Sequence, residues 1–565
     1  MKNLSILFIL MSIAICAIAQ PPSDSSPYYP QGATYTLSNG STTTLSSQSL
    51  SCSTQYYNVI QVSNGTLNLT GCTFTKTGDG SSGDNSSFYG NNSVVYAGSA
   101  SSSGYSSTSS ATGAIINITN CTISSASQGA NAVFATSGAT INVNGVVINN
   151  ANSVSRGLHC TYGGTIIASN VDITTQSETS STIATDRGGG TVTVTGGTAT
   201  AQGNNSAVLY STGTITANNL TGVSQLGEIA VVEGDNGVII NGCTMTSGSS
   251  NRGLMMLQSG SGDAQGSNAY ITVTNSSLTT TDDDVPLCEV PTLNTGTLTL
   301  TDATLSVASG MLMYVNYNTQ WSTYGGTGNL ILQTTEDSWN YTGNVDADSY
   351  SNVTVTVDSN VTWNGTIDND NNASSTKVTI NATGVWVLTA NAYVDTLINN
   401  GTIVTNGYTL TANITSGSGT LTDTQSGSSY TVSECDTYTW NGTTYTTSGT
   451  YYYNGDTLIL TINSATPTTT TVTETSSYTW NGSTYTTSGT YTYSHTDNNG
   501  CTQVDTLYLT INTQLGTDTT SVVYDTITVY DTNSVTLYDT IIITLYDTSN
   551  ITVYDTSSIT VYDTS

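Results

Sequence analysis

A glycine followed by alternating small polar and apolar residues recurs about every 25 positions through most of this chain of 565 residues. Four consecutive repeats begin at Gly164, Gly190, Gly213 and Gly237, so that 26, 23 and 24 residues separate them. This period is too long for an array of β-hairpins and is typical of one turn of a solenoid. Further repeats begin at Gly65, Gly113, Gly138, Gly296, Gly328 and Gly401.

The residues within each repeat alternate with the period of two that characterises β-strands. In the segment that begins at Gly190, Val192 and Val194 would point to one side of the strand, and Thr191 and Thr193 to the other. Stacked turns would bring the apolar residue two places after each glycine into one internal row: Ile166, Ile215, Ile239, Leu298, Leu330 and Ile403. A second apolar strand precedes the glycine in many turns, beginning at Ala132, Gly157, Ser181, Ala207, Ile229, Leu254 and Met311. The sequence therefore predicts an all-β parallel β-helix of about 14 coils over residues 51–420.

In coil period and glycine placement, residues 51–420 resemble the right-handed parallel β-helices of the pectate-lyase-like superfamily. They also resemble adhesin-like β-helix proteins of bacterial surfaces. The resemblance implies a right-handed coil. It implies little about activity, because one fold supports many unrelated functions.

The N-terminal segments predict export. Residues 1–19 combine Lys2, an apolar run and an Ala-Ile-Ala cleavage site, as in a signal peptide. Residues 20–50 are rich in Pro, Ser, Thr and Gln, and we expect a lead-in or N-terminal cap there. No other stretch approaches the ~20 apolar residues of a membrane helix. The predicted location is extracellular or at the cell surface.

Two similar repeats follow the solenoid, at residues 430–470 and 471–515. Both alternate aromatic and Thr residues around an Asn-Gly turn, which predicts small β modules. They resemble tandem repeats of large secreted proteins of Bacteroidetes, in which a unit carries a Cys at each end. The first repeat keeps only Cys435 and the second only Cys501, so neither can form a disulfide within itself.

The last segment, residues 516–565, repeats the triplet Tyr-Asp-Thr, mostly at intervals of eight residues. Thr, Ile, Val and Ser alternate between the triplets. We expect an extended, acidic spacer.

Charge restricts the possible partners. The chain has six Lys and Arg against 37 Asp and Glu, a formal net charge of −31, and only 8% of its residues are charged. Nucleic acid is excluded as a partner, because phosphate binding needs clustered cations. An anionic polymer would also be repelled, whereas uncharged sugars would not. Glycans and matrix or cell-surface polymers are the expected partners.

Aligning the second strands of successive turns places polar side chains at one bend. Asp186, Arg187, Glu233 and Glu289 are the candidate catalytic residues, because carboxylates near an arginine are what polysaccharide lyases and hydrolases on this fold use. Candidate ligand-binding residues are Tyr210, Gln258 and Asn316. The alternative is a polar stack at a corner that satisfies backbone groups.

Calcium is the one cofactor for which the sequence offers ligands. Asp368, Asp370 and Asn372 alternate along a loop, and residues 282–284 are three consecutive aspartates. Alternating oxygen donors suit a hard cation, although the glycine and distal glutamate of an EF-hand are missing. Solvated loops are the alternative. The two histidines, His159 and His495, lie in different predicted domains, which excludes a histidine-based triad or zinc site.

Two further patterns have structural explanations. Cys72, Cys121 and Cys243 follow the same strand pattern, which predicts small buried side chains at equivalent corners.

Thr-x-Thr pairs such as Thr191 with Thr193 suggest an ice-binding ladder. Isoleucine or valine interrupts this ladder in neighbouring turns, at Ile167, Ile240, Ile331 and Val404.

Together these observations predict an exported, non-enzymatic, adhesin-like protein that presents a β-helical face to glycans or matrix. The alternative is a carbohydrate-active enzyme on the β-helix, either a polysaccharide lyase or a glycoside hydrolase. A third possibility is a component of a surface assembly or lattice.

Overall fold

The computed structural model of the chain describes residues 26–80, 84–99, 113–257, 264–292, 295–318, 324–423, 429–453 and 456–513, and the backbone of four short strands beyond them. The described residues are almost entirely β-structure, with one short helix, Asp84–Tyr89. No helix in this part of the chain has the length and apolar character needed to cross a membrane. The chain forms two compact units, Met1–Asn463 and Ser464–Ser565.

A sheet of twelve parallel strands forms one side of the first unit. Its strands, in spatial order, are Gly32–Leu37, Tyr57–Val62, Val95–Ala97, Val133–Ala135, Leu158–Cys160, Ile183–Thr185, Leu209–Ser211, Ala230–Glu233, Leu254–Leu257, Cys288–Pro291, Met311–Asn316 and Asn344–Ala347. Each strand between the two end strands pairs with one strand from the preceding coil and one from the following coil, so neighbours in space are one turn apart in sequence. All seven of the predicted second strands lie in this sheet.

A longer sheet of 26 strands completes most of the coils. Its strands are Thr42–Ser46, Ser49–Cys52, Gly65–Thr70, Thr73–Lys76, Ala114–Thr119, Thr122–Ser125, Thr140–Asn144, Val147–Asn150, Gly164–Thr175, Gly190–Ala201, Thr214–Asn218, Thr221–Ser224, Gly237–Asn241, Thr244–Ser247, Asn268–Thr274, Ser277–Thr280, Thr295–Thr301, Thr304–Val307, Thr327–Gln333, Asn352–Val357, Ser375–Ile380, Ala392–Asn399, Leu410–Ser416, Ser429–Cys435, Gly449–Tyr453 and Asp456–Asn463. In the later coils a sheet of five parallel strands is added: Trp339–Thr342, Val361–Gly365, Val385–Leu388, Thr402–Val404 and Thr420–Thr422. The parallel pairing of successive turns confirms the all-β, β-helical fold and is consistent with a right-handed coil.

Apolar side chains from the sheets fill one continuous core. Ile166, Val192 and Ile215 are fully buried and occupy one register row, as the sequence predicts. The next residue in that row is Val238, whereas the predicted residue, Ile239, pairs with Thr216 on the outward side. The bend before this strand is longer than the bend in the preceding coil. Five positions separate Val232 from Gly237, whereas three positions separate Ser211 from Thr214, the residues with which they pair. Gly237 therefore pairs with Thr214, the residue that follows the glycine of the preceding coil, and each later residue is displaced by one position.

Asparagine and glycine alternate at a corner of the long sheet, where a coil passes from its first strand segment to its second. Asn120, Asn170 and Asn219 have positive φ angles of 52°, 50° and 51°, and Gly145 and Gly242 follow in intervening coils with φ of 62°. This left-handed conformation favours glycine and asparagine. A Cβ atom at Gly242 would lie 2.5 Å from Oδ1 of Asn219. The asparagine side chain thus occupies space that only glycine leaves open.

Cysteines at the same corner are buried, as the sequence predicts, and their thiols are free. The Sγ atom of Cys121 accepts the backbone N–H of Cys72 at 3.3 Å, and that of Cys243 accepts the N–H of Leu220 at 3.4 Å. These thiols connect neighbouring coils and have a structural role.

Both ends of the coil region differ from the predicted boundaries. Parallel pairing begins at Gly32, inside the segment 20–50 that we expect to be a lead-in. At the other end, the strands Gly449–Tyr453 and Asp456–Asn463 of the first repeat module extend the long sheet, and Ala412 pairs with Thr450. The module also contains the hairpin Tyr438–Trp440 and Thr443–Tyr445. Its Cys435 is disulfide-bonded.

The second unit contains the second repeat module. Thr469–Glu474, Thr502–Ile511 and Gly489–Thr496 form a three-stranded sheet, and Tyr478–Trp480 with Ser483–Tyr485 forms a hairpin. Cys501 is disulfide-bonded. In the predicted spacer, the described backbone consists of four strands that pair in parallel: Thr526–Val529 with Ile542–Leu545, and Val535–Tyr538 with Ile551–Tyr554. The rest of the predicted spacer lies outside the described residues.

Candidate functional site

The predicted site residues converge on the outward side of the twelve-stranded sheet, called here the outer face. Tyr210 and Glu289 occupy one register row, which also contains Val231 and Met255. Glu233 pairs with Leu257 and Asn316 with Pro291, two positions further along their strands. The structure therefore distributes the predicted single bend over two neighbouring rows. Gln258 lies outside the described residues.

Asp186 forms an ion pair with an arginine from the preceding coil. Its Oδ2 atom lies 3.2 Å from Arg156 and 3.9 Å from Nε2 of His159. Burial, together with the nearby Arg156, lowers the pKa of His159 well below its usual value, so the imidazole is neutral. Arg187 instead places its guanidinium 3.9 Å from the ring centroid of Phe88, a cation–π contact.

Tyr210 connects this ion pair to Glu233. The tyrosine hydroxyl donates a hydrogen bond of 2.7 Å to Oε1 of Glu233, and the guanidinium of Arg156 lies 5.7 Å from the tyrosine ring centroid. Burial and the charge of Glu233 raise the pKa of Tyr210 well above its ordinary value. The hydroxyl is therefore fixed as a proton donor to the carboxylate.

Arg252 joins two carboxylates further along the outer face. Its guanidinium lies 2.9 Å from Glu289 and 3.7 Å from Glu228, while Asn316 donates a 2.8 Å hydrogen bond to Glu289. Burial raises the pKa of Glu228, and Arg252 opposes that shift. The three charged side chains are 12–15% exposed.

Arg156, Arg252 and Glu228 are absent from the residues predicted for the site. For the two arginines the available signal is rarity, because the chain contains only three arginines and all three lie on or beside the outer face. In the observed contacts the acids of the site pair with arginine side chains, Asp186 with Arg156 and Glu289 with Arg252.

An acidic cluster lies near the end of the outer face. Carboxylate oxygens of Asp346, Asp368 and Asp370 come within 4.8 Å of one another. Asn372 takes part through its backbone, donating its N–H to Asp368 at 2.8 Å. Burial, reinforced by Asp370 and Asp368, raises the pKa of Asp346 to about 6. These oxygen donors are of the type that Ca²⁺ prefers. Asp282, Asp283 and Asp284 form a second such cluster.

A different surface of the solenoid carries two in-register rows of hydroxyl groups, called here the hydroxyl face. It consists of the outward side chains on ten successive strand segments of the long sheet. The first row contains Ser49, Thr73, Thr122, Val147, Asp172, Thr198, Thr221, Thr244, Ser277 and Thr304, and the second contains Ser51, Thr75, Ser124, Asn149, Thr174, Thr200, Val223, Thr246, Thr279 and Ser306. Every one of these side chains is exposed or half-buried.

The hydroxyl face is nearly free of charge, with Asp172 as its one ionisable side chain. That carboxylate accepts a hydrogen bond from Thr198. The predicted ladder residues Thr191 and Thr193 lie on the strand segments that precede the corner of the long sheet, called here the other flank, so these two rows are not part of the prediction. Val147, Asn149, Asp172 and Val223 interrupt the rows. The signal that could have found it is a hydroxyl–apolar–hydroxyl triplet about eight residues after the glycine in many turns.

Comparison of the chain with protein-family models, with curated proteins and with solved structures gives no match. The assignment of a function therefore rests on the surfaces described above.

Proposed function

We propose that this chain is an exported, non-enzymatic, adhesin-like surface protein whose hydroxyl face binds neutral polysaccharide. The observation that carries the proposal is the hydroxyl face itself, in which 16 of the 20 side chains on ten successive coils are Ser or Thr, in register and exposed or half-buried. Extracellular glycans or a carbohydrate matrix would be the natural targets of such a surface.

The geometry of the face suits a long, uncharged chain. Neighbouring coils place equivalent side chains ~4.8 Å apart, and residues two positions apart along a strand are separated by about 6.7 Å. Each neutral hydrogen bond contributes only about 0.5–1.5 kcal/mol. Many weak contacts along one polymer nevertheless add up, because each contact after the first is intramolecular. The net charge of −31 favours neutral over anionic polymers.

The state of the candidate catalytic residues supports a non-enzymatic role. Asp186 is paired with Arg156, and Glu233 accepts the Tyr210 hydroxyl. Glu289 is held by Arg252 and Asn316. A nucleophile or general base must reach its substrate, and these groups are directed at protein partners.

A polymer-binding assay tests the proposal. The full chain is incubated with insoluble neutral polysaccharides, and the bound fraction is compared with that of the variant Thr221→Val/Thr244→Val/Thr246→Val. Valine keeps the shape and β-propensity of threonine and removes the hydroxyl. The matched control is Thr191→Val/Thr193→Val/Thr216→Val on the other flank. We expect only the first variant to lose affinity; equal losses in both variants would contradict the proposal.

A carbohydrate-active enzyme remains the second candidate, and one observation favours it. Glu228 and Glu289 contact the same guanidinium, and burial raises the pKa of Glu228, which favours its protonated form. Glycoside hydrolases use a pair of carboxyl groups, one of which acts as a general acid with a raised pKa. Release of reducing sugar or unsaturated product by the full chain, abolished by Glu289→Gln, would establish this alternative.

A further inference from the structure

A cleft of about 230 Å³ lies where the last coils of the solenoid meet the first repeat module. Leu397, Ile403 and Leu410 line it from the solenoid, and Thr450 and Tyr452 line it from the module. The two sides belong to the same compact unit and are joined through the pairing of Ala412 with Thr450.

The chain leaves this space open through its own small residues. Ala412 contributes only a methyl group to the lining. Gly417 and Gly419 also line the cleft, and Gly417 has a φ of 105°. A Cβ atom at Gly417 would lie 2.0 Å from the carbonyl oxygen of Asn399, so no side chain can close the cleft from that position.

The lining combines an apolar floor with a hydroxyl-bearing rim, and all twelve of its residues are uncharged. The accessible apolar side chains of the lining are Leu421 and Tyr452, which are half-buried; Leu397, Ile403 and Leu410 are buried beneath them. Thr415 and Ser416 are exposed at the rim, where Thr450 is half-buried. A ligand that matches this lining has an apolar face, several hydroxyl groups and no charge.

We propose that this cleft binds one uncharged sugar ring. Its volume corresponds to about seven or eight water molecules at about 30 Å³ each, which is the scale of a single ring rather than of a drug-sized ligand. The C–H groups of a pyranose would pack against Leu421 and Tyr452, and its hydroxyl groups would face Thr415 and Thr450. This site goes beyond the hydroxyl face in position and in ligand, since it takes one ring and not a polymer.

Saturation-transfer NMR on the full chain tests the assignment, with methyl glucoside, methyl mannoside and N-acetylglucosamine as neutral probes. Glucuronate and glucosamine serve as charged comparators. We expect at least one neutral probe to bind more tightly than either comparator. Absence of binding by every neutral probe, or equal binding of the charged sugars, would overturn the proposal.

Three variants locate the site. Ala412→Met fills the cleft and should abolish probe binding, while Thr450→Val removes one rim hydroxyl and should weaken binding severalfold. Thr411→Val changes a neighbour that does not line the cleft and should leave binding unchanged. If Ala412→Met raises the melting temperature and probe binding persists, the cleft is a packing defect and the proposal fails. None of these residues belongs to the hydroxyl face. Failure of the cleft to bind sugar would therefore not affect the proposal that the hydroxyl face binds polysaccharide.

Discussion

Substitution of Gly242 tests how successive coils stack. A Cβ atom at this position would meet two obstacles, a backbone φ of 62° and the Oδ1 atom of Asn219 at 2.5 Å. Gly163 provides a matched control, because its φ is 74° but a Cβ atom added there would have no neighbour within 4 Å. Comparing alanine at the two glycines therefore isolates the contact between coils.

The expected magnitudes follow from these contacts. A left-handed conformation costs a non-glycine residue about 1–2 kcal/mol, which is the loss expected for Gly163→Ala. Displacing the Asn219 side chain from its rotamer adds about 0.5–1.5 kcal/mol. We therefore expect Gly242→Ala to lower the local free energy of opening by about 2–3 kcal/mol. The double variant Asn219→Gly/Gly242→Ala should recover the cost of displacing the Asn219 side chain, about 0.5–1.5 kcal/mol.

Hydrogen exchange is the suitable assay, since each repeat of a solenoid contacts mainly its neighbours and opens locally. The Asn219 amide donates to the Asn241 carbonyl and the Gly242 amide to the Thr274 carbonyl, so peptides containing these amides report the corner. Equal losses of protection for Gly242→Ala and Gly163→Ala would refute the reasoning. Failure of the double variant Asn219→Gly/Gly242→Ala to regain protection relative to Gly242→Ala would also refute the reasoning.

Three other outcomes follow from the structure. Trp363 is fully buried, its ring centroid lies 5.0 Å from that of Trp386, and its indole N–H donates a hydrogen bond to the Gly343 carbonyl. Trp363→Ala should therefore lower the free energy of unfolding, measured by chemical denaturation, by about 3–5 kcal/mol. A loss below about 1 kcal/mol would contradict this packing. The Asp346 carboxyl should titrate near pH 6 by NMR, and a midpoint near 4 would contradict its burial. Because its pKa is raised on folding, the contribution of Asp346 to stability should decline as pH rises from about 4 to 6, and Asp346→Asn should remove that dependence in pH-dependent melting.

The coil architecture is predictable from the sequence because period-two patterning and glycine spacing are local signals. Val192 and Val194 are buried as their alternation predicts. The inward position of Val238 in place of Ile239 was not predictable, because the length of the preceding bend changes the register without changing the pattern. Long-range register decides which coil supplies each partner, and for this reason the Arg156–Asp186 pair could not be predicted from the sequence.

Register also limits how well the candidate surfaces can be predicted from the sequence. The sequence predicts one bend for Tyr210 and Glu233, whereas the structure places them in neighbouring rows. The hydrogen bond that joins their side chains could not be predicted from the sequence. The hydroxyl face was missed because its triplets follow a corner, at Asn219 for example, that separates them from the glycine used to align the repeats. A single asparagine or glycine at that corner restarts the alternation of inward and outward positions.

The most direct test of the proposed function measures affinity for neutral polysaccharide on the hydroxyl face. Removing three hydroxyl groups with Thr221→Val/Thr244→Val/Thr246→Val should cost about 1.5–4.5 kcal/mol if each forms one hydrogen bond, a loss of affinity of at least about tenfold. We expect binding by the native chain without release of sugar products, this loss in the variant, and no loss in the other-flank control. Sugar release by the native chain, or unchanged affinity of the variant, would show that the hydroxyl face does not have the proposed role.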